Sequence, residues 1–481
     1  MDWLRSGPKQ LLIGGKFVDA QSGKTLQSFN PATEELLGEV AEGDAADVDI
    51  AVASARKTFE SDAWRNMSPH ARGHLLSRIA DLIDKHADEL AVLETLDVGA
   101  PLSLTRSWAR FAAQTFRYYA GWPTKISGVV VPSEPSRLIY TAREPLGVCG
   151  LINPWNAPLS QAATKIAPTL ACGNTGVLKP AELTSYTTLR VGELLLEAGL
   201  PAGALNIVTG YGATVGAAIS AHPGIEKVSF TGSTVTGKQI LSASVGNFKK
   251  ITLELGGKSP SILFPDADID KAITAAVSSF TRNSGQICSA GTRLFVHQSL
   301  HDEVAEKIVA IASRLKVGLP LEKDVDLGPL ISSKQKDRVV SYIEAGLEQG
   351  ATPSLLGSHK SDTGYFVEPT VFSSVKNSMK IAQEEIFGPV LSIIPFKDED
   401  DAVFQANDTE YGLAAAVWTK DISKAHKVAQ RLESGRVWIN TYGELDQVMS
   451  SGGYKQSGVG REFGPESIDA FTQTKSIVVR L

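Results

Sequence analysis

A chain of 481 residues, 43% of them hydrophobic and 21% charged, has the composition of a folded globular protein with length for two or three cores, which sets extended disorder aside. The net charge of −6 gives no basic footprint for nucleic acid or an anionic membrane surface. No apolar run approaches the roughly 18 to 20 residues of a membrane span. The opening Met-Asp-Trp-Leu-Arg-Ser-Gly lacks the apolar core of a secretion signal, and three widely separated cysteines fit a reducing compartment, so a cytoplasmic location is expected.

In chain order, Leu11-Leu12-Ile13 and Lys16-Phe17-Val18 flank Gly14-Gly15, which predicts a two-residue hairpin. Asp44 caps a predicted helix with Val48, Val52, Ala55 and Phe59 on one face; Ser68-Pro69 starts another that carries Leu75, Leu76, Ile79, Leu82 and Ile83. His70 and His74 have a metal-compatible spacing, but no cluster of further ligands joins them, so they read as surface residues and no metal is expected. A third helical run through Trp108, Phe111, Thr115, Tyr118 and Tyr119 ends near Gly121. Residues 125–144 then read as an extended ribbon, with Val129-Val130-Val131 and Leu138-Ile139-Tyr140 interrupted by Pro132 and Pro135.

From Leu146 to Leu255 strand and helix alternate, with strands expected at 146–152, 175–179, 204–209, 227–230 and 250–255. That pattern predicts right-handed crossovers and a parallel, doubly wound sheet, whose ligands bind at the carboxyl ends of its strands. Asn156, Lys179, Glu182, Gly210, Gly212, Thr231 and Ser233 all follow strand ends. There is no GxGxxG fingerprint; Gly210 to Gly216 is a loose relative that fits a plain strand–helix turn equally well. Thr231-Gly232-Ser233 with Gly237 is the better phosphate candidate, since a hydroxyl and free N–H groups at a helix start suit a pyrophosphate. Cys149 and Cys172 sit in apolar runs and read as core.

A second α/β unit follows Gly256-Gly257: a helix capped by Asp268 and broken at Gly285, a strand at 292–297, a long helix at 299–315, and strands at 390–396, 414–419 and 437–440. The break presents Cys288, where local backbone N–H groups can stabilise a thiolate, although the same pattern fits a small buried core residue. Glu254 lies in an apolar strand two residues before Gly256-Gly257. Such an acid is either a water-activating base with a pKa raised by burial or a carboxylate satisfied by backbone N–H groups.

Glu254 and Cys288 in this order, together with Pro154-Trp155-Asn156, Lys179-Pro180-Ala181-Glu182, Phe230-Thr231-Gly232-Ser233-Thr234 and Glu384-Glu385-Ile386-Phe387-Gly388-Pro389-Val390, resemble the aldehyde dehydrogenase superfamily over essentially the whole chain. The resemblance implies an α/β fold with a Rossmann-type parallel-sheet cofactor domain (1–124 and 146–255), a second α/β catalytic domain (256–456), and a small β oligomerisation arm with a C-terminal strand (125–145 and 457–481). It implies oxidation of an aldehyde to the carboxylic acid with NAD, in a homodimer or homotetramer. Catalysis would fall to Cys288, Glu254, Asn156 and Lys179. The cofactor would be met by Ile152, Pro154, Trp155, Lys179, Glu182, Gly212, Gly216, Phe230, Thr231, Gly232, Ser233, Leu255, Gly256, Glu385 and Phe387.

Asn156 by itself fits a turn residue, and Glu384 reads as a charged residue before a strand. A nucleotide-free cysteine hydrolase or acyltransferase would share the thiol and the oxyanion hole, yet none of the eight histidines sits in a motif beside Cys288. Ala157, Thr164 and Ser451 stand where many relatives place bulky residues, which predicts a wide substrate tunnel open to bulky or aromatic aldehydes.

Overall fold

The computed structural model describes residues 2–359 and 361–481. Its first sheet has five parallel strands in the spatial order Leu205–Ile207, Thr175–Lys179, Val148–Ile152, Lys227–Thr231, Lys250–Glu254. The hairpin Leu11–Ile13 and Lys16–Val18 adds antiparallel strands at one edge, and Gly458–Val459 adds one at the other. The central strands are buried residue after residue, as a parallel sheet covered by helices on both faces requires. Chain order reverses between Val148–Ile152 and Lys227–Thr231, which makes the carboxyl ends of these two strands the switch point where a ligand crevice opens.

The second sheet runs Thr352–Leu355, Thr370–Ser373, Val390–Phe396, Arg293–His297, Pro260–Leu263, Ala415–Trp418, Val437–Ile439, parallel except for its first strand. A third, antiparallel sheet pairs the ribbon strands Val130–Val131 and Arg137–Pro145 with Thr472–Arg480, in register from Pro145 opposite Thr472 to Arg137 opposite Arg480. Gly458 and Val459, which a boundary at residue 457 assigns to the arm, pair with Leu253 and Glu254 of the first sheet.

Several elements differ from the sequence expectation. The helix expected over 299–315 is a 3-10 turn at Gln298–Leu300 followed by an α-helix over His301–Ala312. The helix capped by Asp268 spans Ile269–Thr281 and stops before Gly285, because Asn283 and Ser284 adopt left-handed backbone conformations. Ala87–Val98 was not anticipated as a helix, since Leu90, Ala91, Leu93, Glu94, Leu96 and Val98 are all buried and leave no polar face to mark a period.

That buried helix matters to the one that follows Asn156. Pro158–Ala171 starts with proline and has no side-chain cap of its own. Glu94 supplies one from outside, its Oε1 accepting the Leu159 N–H at 3.2 Å while Oε2 is buried without a partner. Burial pushes the Glu94 carboxyl up to about 8, so it is protonated at neutral pH. A raised carboxyl pKa means that the folded state holds the proton longer, so this contribution to stability is complete near pH 4 and is lost as pH climbs to about 8. Glu94→Gln should therefore flatten the fall in unfolding free energy across that range, and Glu94→Ala, which strands the Leu159 N–H, should cost about 1–3 kcal/mol. Denaturant unfolding at several pH values measures both; an unchanged slope in Glu94→Gln would show that the group does not titrate there.

Candidate active site

The strand registers bring the expected residues to one rim. Ile152 lies opposite both Lys179 and Phe230, and Thr231 lies opposite Glu254. Pro154, Trp155 and Asn156 follow Ile152 directly, on the loop that leads into Pro158–Ala171.

Cys288 reaches this rim from the second unit on a tight segment. Gly285 has φ +74° and packs so closely on Gly388 that a Cβ there would lie 2.2 Å from its carbonyl, which only glycine avoids. Asn156 Nδ2 donates to the Gln286 carbonyl at 2.9 Å, and Asn283 Nδ2 donates back to the Asn156 carbonyl at 3.0 Å. These bonds fix the Asn156 amide beside the cysteine segment and leave its second N–H uncommitted. Cys288 is partly exposed, whereas Cys149 and Cys172 are buried.

The thiol is not a resting thiolate. Burial, then the charge of Glu385, push Cys288 up to about 12, against the lowering influence of Arg436 and of a backbone hydrogen bond at Ser289. The expected stabilisation by local N–H groups is therefore outweighed in the protein alone: the site is open enough for a ligand and too dry for a free anion.

Glu254 is buried at the end of its strand with Oε1 unpartnered, so it is not satisfied by backbone N–H groups as the alternative reading requires. Burial and then the neighbouring charge of Glu462 hold its carboxyl well above the usual carboxylate range, while Lys165, Arg436 and Arg461 oppose the shift. Behind it lies a network that sequence reasoning missed. Lys165 Nζ bonds Glu462 Oε1 at 2.5 Å, Thr231 Oγ1 at 2.8 Å and Ser229 Oγ at 3.2 Å, and Ser229 Oγ donates to Glu462 Oε1 at 2.9 Å. The signal was a lone lysine among the apolar residues of Ala162-Ala163-Thr164-Lys165-Ile166-Ala167. Arg436 was missed as well; its Nη2 donates to Ser451 Oγ and its charge acts on both Glu254 and Cys288. Ser451 is thus buried and engaged, Thr164 turns its hydroxyl to the Ser160 carbonyl at 2.9 Å, and Ala157 packs against Val98, Ala100 and Trp108.

The remaining rim residues form a polar cradle. Lys179 Nζ donates to the Pro180 carbonyl at 2.8 Å and pairs with Glu182 Oε2 at 3.2 Å; burial lowers its pKa. Gly212–Gly216 is a short π-helical turn, with open space where a Gly212 side chain would stand and the Lys179 stem beside Gly216. Ser233 caps the helix Thr234–Ala243, its Oγ accepting the Thr236 N–H at 3.2 Å, and a Cβ on Gly232 would strike the Phe230 ring. Leu255 packs under Gly237, and its N–H donates to the Ser457 carbonyl.

Glu385 Oε1 accepts the Gly257 N–H at 3.1 Å, and a Cβ on Gly256 would lie 2.5 Å from Glu385 Oε2. Burial pushes Glu385 up to about 7, with the Gly257 N–H opposing. Glu384 instead bonds the Tyr342 hydroxyl at 2.6 Å, away from the rim. Phe387, at φ +61°, stands edge-on to Trp155 with ring centroids 5.2 Å apart. Asn153, between Ile152 and Pro154, is buried with both amide atoms unpartnered. Unmet amide groups, glycines kept bare and a helix N-terminus at a switch point fit a dinucleotide.

Residues 17–477 match the sequence model of the aldehyde dehydrogenase family. The chain belongs to that family. It is 50% identical over 475 residues to aldehyde dehydrogenase family 2 member B4, mitochondrial, of Arabidopsis thaliana, covering 98% of this chain and 88% of the relative. Among solved structures it is similar to an NAD+ complex of aldehyde dehydrogenase from Bacillus cereus (TM-score 0.98, 46% identity, covering 100% of this chain and 98% of that one). It is also similar to betaine aldehyde dehydrogenase from Staphylococcus aureus in complex with NAD+ (TM-score 0.97, 39% identity, covering 100% and 96%). The α/β fold expected from sequence is therefore that of the family, and the protein is an oxidoreductase acting on aldehydes. The cysteine-hydrolase reading is overturned by this membership. No helix among the described residues is long and apolar enough to cross a membrane, and no cluster among them could hold a metal ion.

This geometry makes a labelling prediction. With the thiol at about 12, iodoacetamide should modify Cys288 slowly at pH 7 and faster as pH rises, while buried Cys149 and Cys172 stay unlabelled in the folded protein. Peptide mass spectrometry reads the order; labelling of Cys149 or Cys172 before Cys288 would contradict it.

Proposed function

We propose that this aldehyde dehydrogenase converts an aldehyde to its carboxylic acid with NAD, Cys288 serving as nucleophile and Glu254 as the base that clears the product. The observation that carries the reading is the pairing of one partly exposed thiol, tied through Gln286 and Asn283 to the Asn156 amide, with a buried carboxyl whose Oε1 has no partner. Attack by the Cys288 sulfur on the aldehyde carbon moves the carbonyl electron pair onto oxygen, and the thiol proton leaves to solvent at this partly exposed position. The second Asn156 N–H and the Cys288 backbone N–H receive that oxyanion.

The dinucleotide, when bound, supplies the acceptor for the hydride that leaves the tetrahedral carbon, which no side chain can provide. Cys288 is left as a thioester. Glu254 then takes a proton from water as the oxygen attacks the acyl carbon, and the sulfur departs as the carboxylic acid is released. The Lys165–Glu462 pair sets how readily Glu254 accepts and passes on that proton, since its two members act on the carboxyl with opposite signs.

Lys179 and Glu182 would face the adenosine ribose, Glu385 the nicotinamide ribose, and Phe387 with Trp155 the ring. Ser233, Gly212 and Gly216 would line the path of the pyrophosphate. The domain division follows the two large sheets, with 1–124 and 146–255 holding the cofactor and 256–456 the nucleophile. Exposed Val129, Val130, Val478 and Leu481 support an arm that pairs subunits in a homodimer or homotetramer. Three free cysteines support a cytoplasmic location.

Glu254→Gln tests the assignment of half-reactions. It should still release one equivalent of NADH rapidly and then stall as acyl-enzyme, with steady turnover reduced roughly a hundredfold or more. Because the Glu254 carboxyl is raised, wild-type steady turnover should climb with pH well above the ordinary carboxylate range, and the variant should lose that limb. Loss of the burst itself would place Glu254 before hydride transfer.

Cofactor choice rests on Glu182. A 2′-phosphate brought to about 4 Å from its carboxylate meets a repulsion on the order of 4 kcal/mol per unit charge at an effective dielectric near 20, and a quarter of that is about fivefold. Lys179, paired with Glu182 at 3.2 Å, works against this by attracting the phosphate, so NADP is disfavoured and not excluded. In kcat/KM the wild type should favour NAD over NADP, and Glu182→Gln should narrow the gap. Equal use of both cofactors by the wild type would mean that Glu182 does not face the ribose.

A further inference from the structure

Arg436 stands immediately before the strand Val437–Ile439, part-buried, and the side chains that hold it are neutral. Its Nη2 donates to Ser451 Oγ, and its guanidinium lies over the Trp438 ring, 5.3 Å from the centroid. Nε is buried without a partner, and among the described residues no carboxylate forms an ion pair with this side chain. An arginine keeps its proton at any working pH, so an anchored and uncompensated positive charge results.

Two runs of contacts tie this cation to the reacting groups. On one side the Trp438 and Tyr442 rings pack with centroids 4.8 Å apart, and the Tyr442 hydroxyl donates to the Ser289 carbonyl at 2.8 Å, one residue beyond Cys288. A Cβ on Gly291 would lie 2.9 Å from the Tyr442 ring, so the tyrosine is seated against the segment that follows the thiol. On the other side Ser451 exchanges backbone hydrogen bonds of 2.8 and 2.7 Å with Glu462, which belongs to the Lys165 network behind Glu254. A Cβ on Gly435 would strike the Gly452 carbonyl, which presses the chain before Arg436 onto the same loop. The guanidinium therefore sits where the thiol's segment and the carboxyl's network meet, and its charge bears on both groups.

The other groups facing this pair do not replace it. Glu385 and Glu254 disfavour the Cys288 anion, which only a backbone hydrogen bond at Ser289 and Arg436 favour. Glu462 disfavours the Glu254 anion; Lys165 opposes it but is paired with Glu462, and Arg461 opposes it while donating to the Gly453 and Gly460 carbonyls. Tyr442 is kept a neutral phenol, chiefly by burial.

We propose that Arg436 is a positioning residue for both half-reactions, a fixed cation on neutral supports that favours the Cys288 thiolate as the aldehyde is attacked and the Glu254 carboxylate as water is activated. The inference rests on Cys288 as nucleophile and Glu254 as base.

The test compares the wild type with Arg436→Gln, which keeps a donor for Ser451 without the charge, and with Arg436→Lys, which keeps the charge. Iodoacetamide labelling of Cys288 between pH 7 and 9, without cofactor, should be about tenfold slower in Arg436→Gln, as one pKa unit of lost thiolate requires, and nearer the wild type in Arg436→Lys. The NADH burst should slow in the same order, the rising limb of steady turnover should move to higher pH in Arg436→Gln, and NAD affinity by fluorescence titration should stay within about twofold. Wild-type labelling in Arg436→Gln, or an equal loss in Arg436→Lys, would overturn the proposal, since a merely structural arginine depends on its hydrogen bond and not on its charge. A burst that survives in Cys288→Ala would overturn the nucleophile assignment instead, and the cofactor-free labelling would still decide what Arg436 does to the thiol.

Discussion

The reciprocal bonds between Asn156 and the segment leading to Cys288 join the rim of one sheet to a loop of the other, and the site's geometry depends on them. Asn156 Nδ2 meets the Gln286 carbonyl and Asn283 Nδ2 meets the Asn156 carbonyl, so neither unit can shift without breaking a buried amide bond. The cost of holding Asn283 and Ser284 in left-handed conformations falls on the residues between a helix end and the thiol. Bonds from both side chains, and the tight packing of Gly285 on Gly388, over-determine that backbone.

Electrostatics in the cleft follow from dryness more than from any single pair. Burial is the largest influence on Glu254, Glu385 and Cys288 alike, and in each case it disfavours the anion. Arg436 and the Lys165–Glu462 pair then divide the field, Arg436 acting on both the thiol and the carboxyl and the ion pair on the carboxyl alone. A buried ion pair contributes little net stability after desolvation. Its place behind Glu254 makes better sense as control over where a proton resides.

The rim gathers from dispersed parts the features that a glycine fingerprint holds in one turn. Bare backbone at Gly212, the helix start at Ser233, the paired Lys179 and Glu182, and Glu385 held by the Gly257 N–H come from separate stretches of chain. They meet because parallel strands end on one side of their sheet.

Periodicity and turn chemistry in the sequence determined the alternating α/β order, the edge hairpin, and the caps at Asp44, Ser68 and Asp268, because each depends on neighbours a few residues away. Motif resemblance marked Cys288, Glu254, Asn156 and the rim residues. Tertiary structure decided what local pattern could not carry. The helix Ala87–Val98 is buried over most of its length from Leu90 onward and so shows no period, and Glu94 caps a helix 65 residues away. Lys165 finds Glu462 across 297 residues of chain, and Arg436 acts on Cys288 from another part of the second unit. The thiol's raised pKa, against the expected stabilised thiolate, has the same origin: desolvation sums over all the atoms packed around a group, and only the folded chain brings them there.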